Sequence, residues 1–294
     1  MKYRITHITS YKYADPVSVC HSEAYLTPRT FERQVCDYHR LSITPSPSSS
    51  GRRTDFFDNP LVYFSFNTGF ESLQIKTISR VEVYPRIPIE NPLGTPPWES
   101  ISEKLKTYLE GDEAPPALYA FGSPRIPLSR ELADYGRSVF TPQRPIVDAV
   151  LALTEKIHQD FEFDPRATPV NTPVEEVMQN RKGVCQDFAH LQIAILRSLG
   201  VAARYVSGYL RTYPAPGKPR LVGADASHAW VSVFCGDRGW VDVDPTNNKQ
   251  VRDEHITLAW GRDYGDVCPL KGVYVGGGRH TLEVSVDVLP LEED

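Results

Sequence analysis

Cys185 follows Arg181-Lys182-Gly183 at the expected start of a helix. A cysteine in that setting is suited to nucleophilic attack, because a helix N-terminus and nearby cations stabilise the thiolate. Its own N–H is one of the donors a helix leaves unused, so it could bind an oxyanion formed at the carbon under attack. Asp187 in the same first turn works the other way. The plainer reading of any cysteine is a small buried hydrophobe, and position alone does not separate the two. His228, in Asp225-Ala226-Ser227-His228-Ala229-Trp230, supplies the base that a thiol nucleophile needs. A third group must orient that base. Asp242 and Asp244 stand in an otherwise apolar run (Trp240, Val241, Val243), where a carboxylate requires partners. The residues alone leave the choice between them open, since a one-residue slip in register exchanges the faces of a strand. Asp244-Pro245-Thr246 also reads as a turn that ends a strand.

The elements that must position these groups follow from periodicity. Val147, Val150, Leu151, Thr154, Ile157 and Phe161 recur at helical spacing. Thr172-Pro173-Val174-Glu175 reads as a capping box with proline at the first helical position. A second helix is expected from Val184-Cys185 to Gly200, which suits the position just past a helix end. Apolar residues spread around most of it, so it should be central and buried. Strands are expected at Val201–Leu210 and Ser227–Phe234, then a turn over residues 235–239 and a returning strand Trp240–Asp244. Helix followed by antiparallel strands makes this region α+β.

Upstream, Tyr3 to Tyr13 alternate with their neighbours. Arg40–Thr44, Leu61–Phe66 and Leu73–Tyr84 are further expected strands, with Pro45–Arg53 read as a loop. Short strands of this kind predict an all-β sandwich-like module over residues 1–90. Residues 91–145 read as a proline-rich connection with helical stretches near 99–110 and 129–139, residues 146–260 as the chemical core, and residues 261–294 as a loop and one closing strand over His280–Pro290. His7, His21, His39 and His190 are read as structural, and so are Cys235 and Cys268.

The motifs Gly183-Val184-Cys185-Gln186-Asp187-Phe188-Ala189-His190, Ala202-Ala203-Arg204-Tyr205-Val206-Ser207-Gly208-Tyr209, His228-Ala229-Trp230 and Trp240-Val241-Asp242-Val243-Asp244-Pro245-Thr246 resemble the bacterial transglutaminase-like cysteine enzymes. Ile5 to Tyr13 with Pro16-Val17 also resembles the β-module that precedes that core, and Arg262 to Val267 with Pro269 resembles its end. The resemblance implies a papain/transglutaminase-like fold, a central helix carrying cysteine packed on an antiparallel sheet. It implies Cys185 as nucleophile, His228 as general base and Asp244, in preference to Asp242, as the orienting carboxylate. Asp187, Arg204, Trp230 and Trp240 match positions that brace the site. A second oxyanion donor is implied upstream of the cysteine, with no residue assigned.

Such a site makes a thioester from an amide or ester and passes it to water or to an amine, so the expected partner is a peptide or protein amide. Water, the default acceptor, makes the protein a cysteine peptidase or amidase; an amine makes it a transglutaminase. A binding or scaffold module that keeps the fold without turnover is the rival reading. The reaction needs no cofactor or metal, and no CxxC, HExxH or calcium loop is present in the sequence. A net charge of −5 gives no reason to expect nucleic acid or an anionic membrane as partner. Five irregularly spaced cysteines suggest free thiols, the opening residues lack the apolar run of a signal peptide, and no run of about 18 apolar residues is present, so a cytoplasmic protein is expected.

Overall fold

The computed structural model describes residues 1–85, 89–106, 115–213 and 226–291. The first strand, β1 (Lys2–Ala24), is followed by β2 (Gln34–Thr44), β3 (Ser49–Thr54), β4 (Pro60–Phe66) and β5 (Phe70–Val83). In β1 the period-two pattern is direct: Tyr3, Ile5, His7 and Thr9 are buried between more exposed neighbours. Its first half pairs with β5 and its second half with β4, and the pairing breaks between Lys12 and Val17. Pro16, which has no N–H to give a ladder, falls in that break, and the sheet curls there. The segment Pro45–Arg53, expected as a loop, contains strand β3 instead. It pairs only with β4, and an edge strand needs a single ladder, which polar residues can supply.

Three helices follow, α1 (Trp98–Leu105), α2 (Arg130–Arg137) and α3 (Ile146–Asp160). Part of the first helical stretch expected at 99–110 lies outside the described residues. Ser129 caps α2 by accepting from the Leu132 N–H. Short strand β6 (Glu162–Phe163), helix α4 (Val174–Asn180) and strand β7 (Lys182–Gly183) lead to the central helix, β6 and β7 pairing in parallel. The expected capping box is not formed. Pro173 itself occupies the cap, and the Thr172 hydroxyl donates to the Pro169 carbonyl, so it does not accept from a helix N–H.

Helix α5 (Cys185–Ser198) is buried almost all round. Gly200, in the left-handed region at φ +78°, turns the chain out of it. Strands β8 (Ala203–Leu210), β9 (Ala226–Phe234), β10 (Trp240–Asp244), β11 (Lys249–Gln250) and β12 (His255–Gly261) form an antiparallel sheet in the order β11-β10-β9-β8-β12. Ala203, Tyr205, Ala229, Val231, Val233, Val241 and Val243 share one core with α5 and with α1 to α4. Arg197 of α5 is almost fully buried and donates to the carbonyls of Ala203, Phe121 and Arg262 at 2.7–3.1 Å.

The tail differs from the loop and single strand expected over 261–294. A short helix, α6 (Tyr264–Val267), leads into two strands, β13 (Leu270–Gly276) and β14 (His280–Leu291). Strand β13 pairs with the second half of β1 and β14 with the first half, so both complete the N-terminal sheet. The turn between them is made by Gly276, Gly277 and Gly278, all at positive φ. That sheet and the core sheet share a second hydrophobic cluster, in which Tyr209, Ile256 and Leu258 lie with Tyr3, Ile5, Phe64 and Val288. Polar clamps add to the junction. The His7 ring bonds the Tyr209 hydroxyl and the Thr9 hydroxyl, each at 2.8 Å, and Gln34 exchanges hydrogen bonds with the backbone of Thr257. No helix among the described residues is long and apolar enough to cross a membrane.

Candidate active site

Cys185 is the first residue of α5, where the N–H groups of the opening turn have no carbonyl within the helix to bond. The turn is tied by Asp187. Its carboxylate accepts from the Val184 N–H at 2.8 Å and from the Thr168 hydroxyl at 2.5 Å, while burial pushes its pKa up. Asp187 therefore braces the helix start. The cations expected to face the thiol are engaged elsewhere: Arg181 lies over the rings of Phe161 and Tyr135, and Lys182 pairs with Glu162 at 3.0 Å.

His228 stands near the start of β9, and its side chain lines the same cleft as the Cys185 thiol and interacts with it electrostatically. Its Nε2–H donates to Asp244 Oδ2 at 2.8 Å, which leaves Nδ1 for the sulfur. Burial works to depress the imidazole pKa, but the hydrogen bond to Asp244, the carboxylate charge and the neighbouring Cys185 outweigh it and push it up to about 10. Burial likewise works against the Asp244 carboxylate, and hydrogen bonds from His228 and His255 overcome it, holding the pKa well below the ordinary carboxylate range.

The register shows why Asp244 is the partner. Asp242 lies opposite Ser232 and Val243 opposite Val231, so both aspartates share the face of His228 and Trp230. What separates them is depth along the strand, not face. Asp242 accepts from the Trp230 indole N–H at 3.4 Å. Asp244 lies two residues nearer His228, at the end of β10, where the chain turns. Its Oδ1 accepts from the Thr246 and Asn247 N–H groups, and its Oδ2 from His228, the Asn247 side-chain amide (2.7 Å) and His255 Nε2 (3.2 Å).

The structure thus brings Cys185, His228 and Asp244 together and puts the bracing residues behind them. Trp230 is fully buried and meets the His255 ring edge-on at 5.3 Å. The Arg204 guanidinium lies between the rings of Trp240 and Trp260, 4.2 and 3.9 Å from their centroids. His190 accepts from the Tyr264 N–H, and burial lowers its pKa to about 4, in keeping with a structural role.

Sequence reasoning missed His255 and Asn247. His255 opens β12, a strand whose apolar run Ile256-Thr257-Leu258-Ala259-Trp260 was a readable signal. Ligand atoms of His228, Asp244 and His255 lie within 4.8 Å of one another. An ion could occupy that spot only at the expense of the two N–H···O bonds, since a coordinating imidazole nitrogen carries no proton.

A cleft of about 290 Å³ opens over Cys185 and His228. Its floor includes Tyr205 and Ser207 of the core sheet, and its outer wall comes from β1 and β14 of the N-terminal sheet. Cys268, read as structural, lies in this wall, with its sulfur 3.2 Å from the Tyr264 hydroxyl.

Known proteins resemble this chain in sequence and in fold. Residues 133–245 match the family model of the transglutaminase-like superfamily, and residues 3–82 match that of the bacterial transglutaminase-like N-terminal region. An uncharacterised protein of Mycobacterium tuberculosis is 40% identical over 305 residues, covering 100% of this chain and 94% of its own length. A protein-glutamine gamma-glutamyltransferase of Pseudomonas aeruginosa is 33% identical over 138 residues, 46% of this chain and 20% of that protein. The crystal structure of a candidate cysteine protease from Cytophaga hutchinsonii has the same fold, with a TM-score of 0.77 at 22% identity, covering 100% of this chain and 92% of that one. With the N-terminal region and the core both matched in chain order, the protein belongs to the transglutaminase-like superfamily of the bacterial type.

Proposed function

We propose that this protein is a thiol enzyme that hydrolyses a peptide-type amide through a Cys185 thioester. One observation carries the reading: Cys185 and His228 line one cleft, and the buried Asp244 bonds His228 from behind. A proton held on His228 by Asp244 favours the anionic sulfur beside it. The sulfur attacks the amide carbon, and the carbonyl electrons move to oxygen, beside the Cys185 backbone N–H. Collapse re-forms the carbonyl and breaks the C–N bond, and the leaving amine takes the proton from His228 Nδ1. Water then gives a proton to the same nitrogen as it attacks the thioester, and collapse releases the acid and the thiolate. Asp244 fixes the tautomer and orientation of the ring throughout.

Transfer to an amine is the second reading, favoured by the similarity of the core to a protein-glutamine gamma-glutamyltransferase. Both acceptors use the same thioester. All five cysteines are free thiols, which supports a reducing, cytoplasmic setting. The test is incubation with casein peptides and dansylcadaverine, followed by mass spectrometry. Cleaved amide bonds support hydrolysis, and dansyl adducts at glutamine support transfer. Neither product should form with Cys185→Ala, whose melting point should stay near that of the parent. An active Cys185→Ala protein overturns the proposal.

A further inference from the structure

Two paired strands carry an apolar stripe that is only half covered. On β14, residues 282, 284, 286 and 288 share a face. Val286 and Val288 are buried in the core of the N-terminal sheet, whereas Leu282 and Val284 are 52% and 51% exposed. On β1 the partners run in parallel with this change. Ile5 opposite Val288 is buried, and Tyr11 opposite Leu282 is only partly buried. The stripe therefore leaves the core of its own sheet and continues into the cleft, where Tyr11, Leu282 and Val284 stand in the wall across from Cys185. Alternate residues on β14, Glu283, Ser285 and Asp287, are polar, as a strand with one solvated face requires. Two exposed aliphatic side chains on the inward face beside a nucleophile have no partner within the described chain to explain them.

The electrostatics of the cleft agree. Among the described residues that line it there is no Asp, Glu, Lys or Arg. His7 is kept neutral by burial, which lowers its pKa to about 4, and burial likewise pushes the Tyr11 and Tyr264 phenols up. Apart from the Cys185–His228 pair, whose charges offset each other, a charged side chain entering here would lose its water without gaining a counter-charge. A volume of about 290 Å³ lies at the small end for ligand sites, enough for one side chain and its amide.

From these observations, and resting on Cys185 as the acylated nucleophile, we infer that Tyr11, Leu282 and Val284 form a specificity subsite selecting an uncharged apolar or aromatic side chain beside the scissile amide. The N-terminal sheet, completed by β14, is then half of the substrate-binding surface. Only the part of the stripe next to Cys185 is left open, because the substrate covers it at each turnover.

The test uses N-acetyl-aminoacyl chloromethyl ketones with Phe, Leu, Asp or Lys side chains on the full-length protein. Labelling of Cys185 is followed by mass spectrometry, each rate expressed relative to iodoacetamide on the same protein. The Phe and Leu reagents should label about tenfold or more faster than the Asp and Lys reagents. In Val284→Asp the Phe advantage should shrink and the Lys reagent should gain. Equal rates for all four reagents, or an unchanged Phe preference in Val284→Asp, overturns the subsite while leaving the nucleophile assignment standing. Failure of every reagent, iodoacetamide included, to label Cys185 overturns both.

Discussion

Replacing Asp244 by asparagine tests the site most directly. The carboxylate accepts from five donors, three on Oδ2 and two on Oδ1. An amide has one accepting oxygen, so at least two of the five donors would then face an NH2 group. The charge that raises His228 is lost as well. A rise from 6.5 to about 10 corresponds, at 1.36 kcal/mol per unit, to on the order of 5 kcal/mol in favour of the imidazolium. Without it only the Cys185 contribution still opposes burial, and the imidazole pKa falls. Breaking a buried pair of this kind costs about 3–5 kcal/mol, or roughly 10 °C in melting temperature. Turnover should fall by about 10³–10⁴-fold through loss of the correct tautomer, a figure taken by analogy from the serine triad. The sign with pH is fixed. His228 is raised on folding, so its contribution is fully present below about pH 6.5 and fades as pH rises through about 10. The melting difference between wild type and Asp244→Asn should therefore be largest near pH 6 and shrink in alkali. Asp242→Asn is the control: it should lower the melting point less and leave Cys185 alkylation within about threefold of wild type. If Asp242→Asn silences Cys185 and Asp244→Asn does not, the assignment of the orienting carboxylate is wrong.

His255→Leu removes one donor from Asp244 and should slow turnover about tenfold, the value of roughly one hydrogen bond to a charged group. His255→Gln, which keeps a side-chain N–H of similar reach, should recover most of it, and equal rates for both variants would show that His255 only fills space. Arg197→Met leaves three backbone carbonyls without their donor and should cost on the order of 3 kcal/mol in a denaturation curve. Arg197→Lys should restore only part of that, since an ammonium lacks the planar fork.

The candidate catalytic residues were legible because each sits at a place that local rules mark. Cys185 opens an apolar helix, His228 opens an alternating strand, and Asp244 closes the strand that returns beside it. The choice between Asp242 and Asp244 was not legible from pattern, since residues two apart always share a face and only register with β9 fixes their depth. His255 was missed because it lies on a strand outside the expected set, 11 residues from its partner Asp244. β3 was missed because its pairing is supplied by β4 and not by its own composition. The role of β14 was hidden for the same reason at longer range, as its partners lie some 280 residues upstream on β1. The expected capping box failed because Thr172 bonds backward to Pro169, a competition that residue type alone does not reveal.

The place of β14 also sets an order of assembly. Translation delivers β1 first, the helix and strands bearing Cys185, His228 and Asp244 next, and β14 only afterwards. At about 5–20 residues per second, β1 waits for tens of seconds before the strand that pairs with Lys2–Tyr13 is made. Only over its last few seconds, between the synthesis of Asp244 and that of Leu282 at the same rate, does the nascent chain hold Cys185, His228 and Asp244 while lacking Leu282 and Val284. If the proposed subsite holds, the nucleophile is made before the surface that would select its substrate, and that surface is completed when β14 docks against β1.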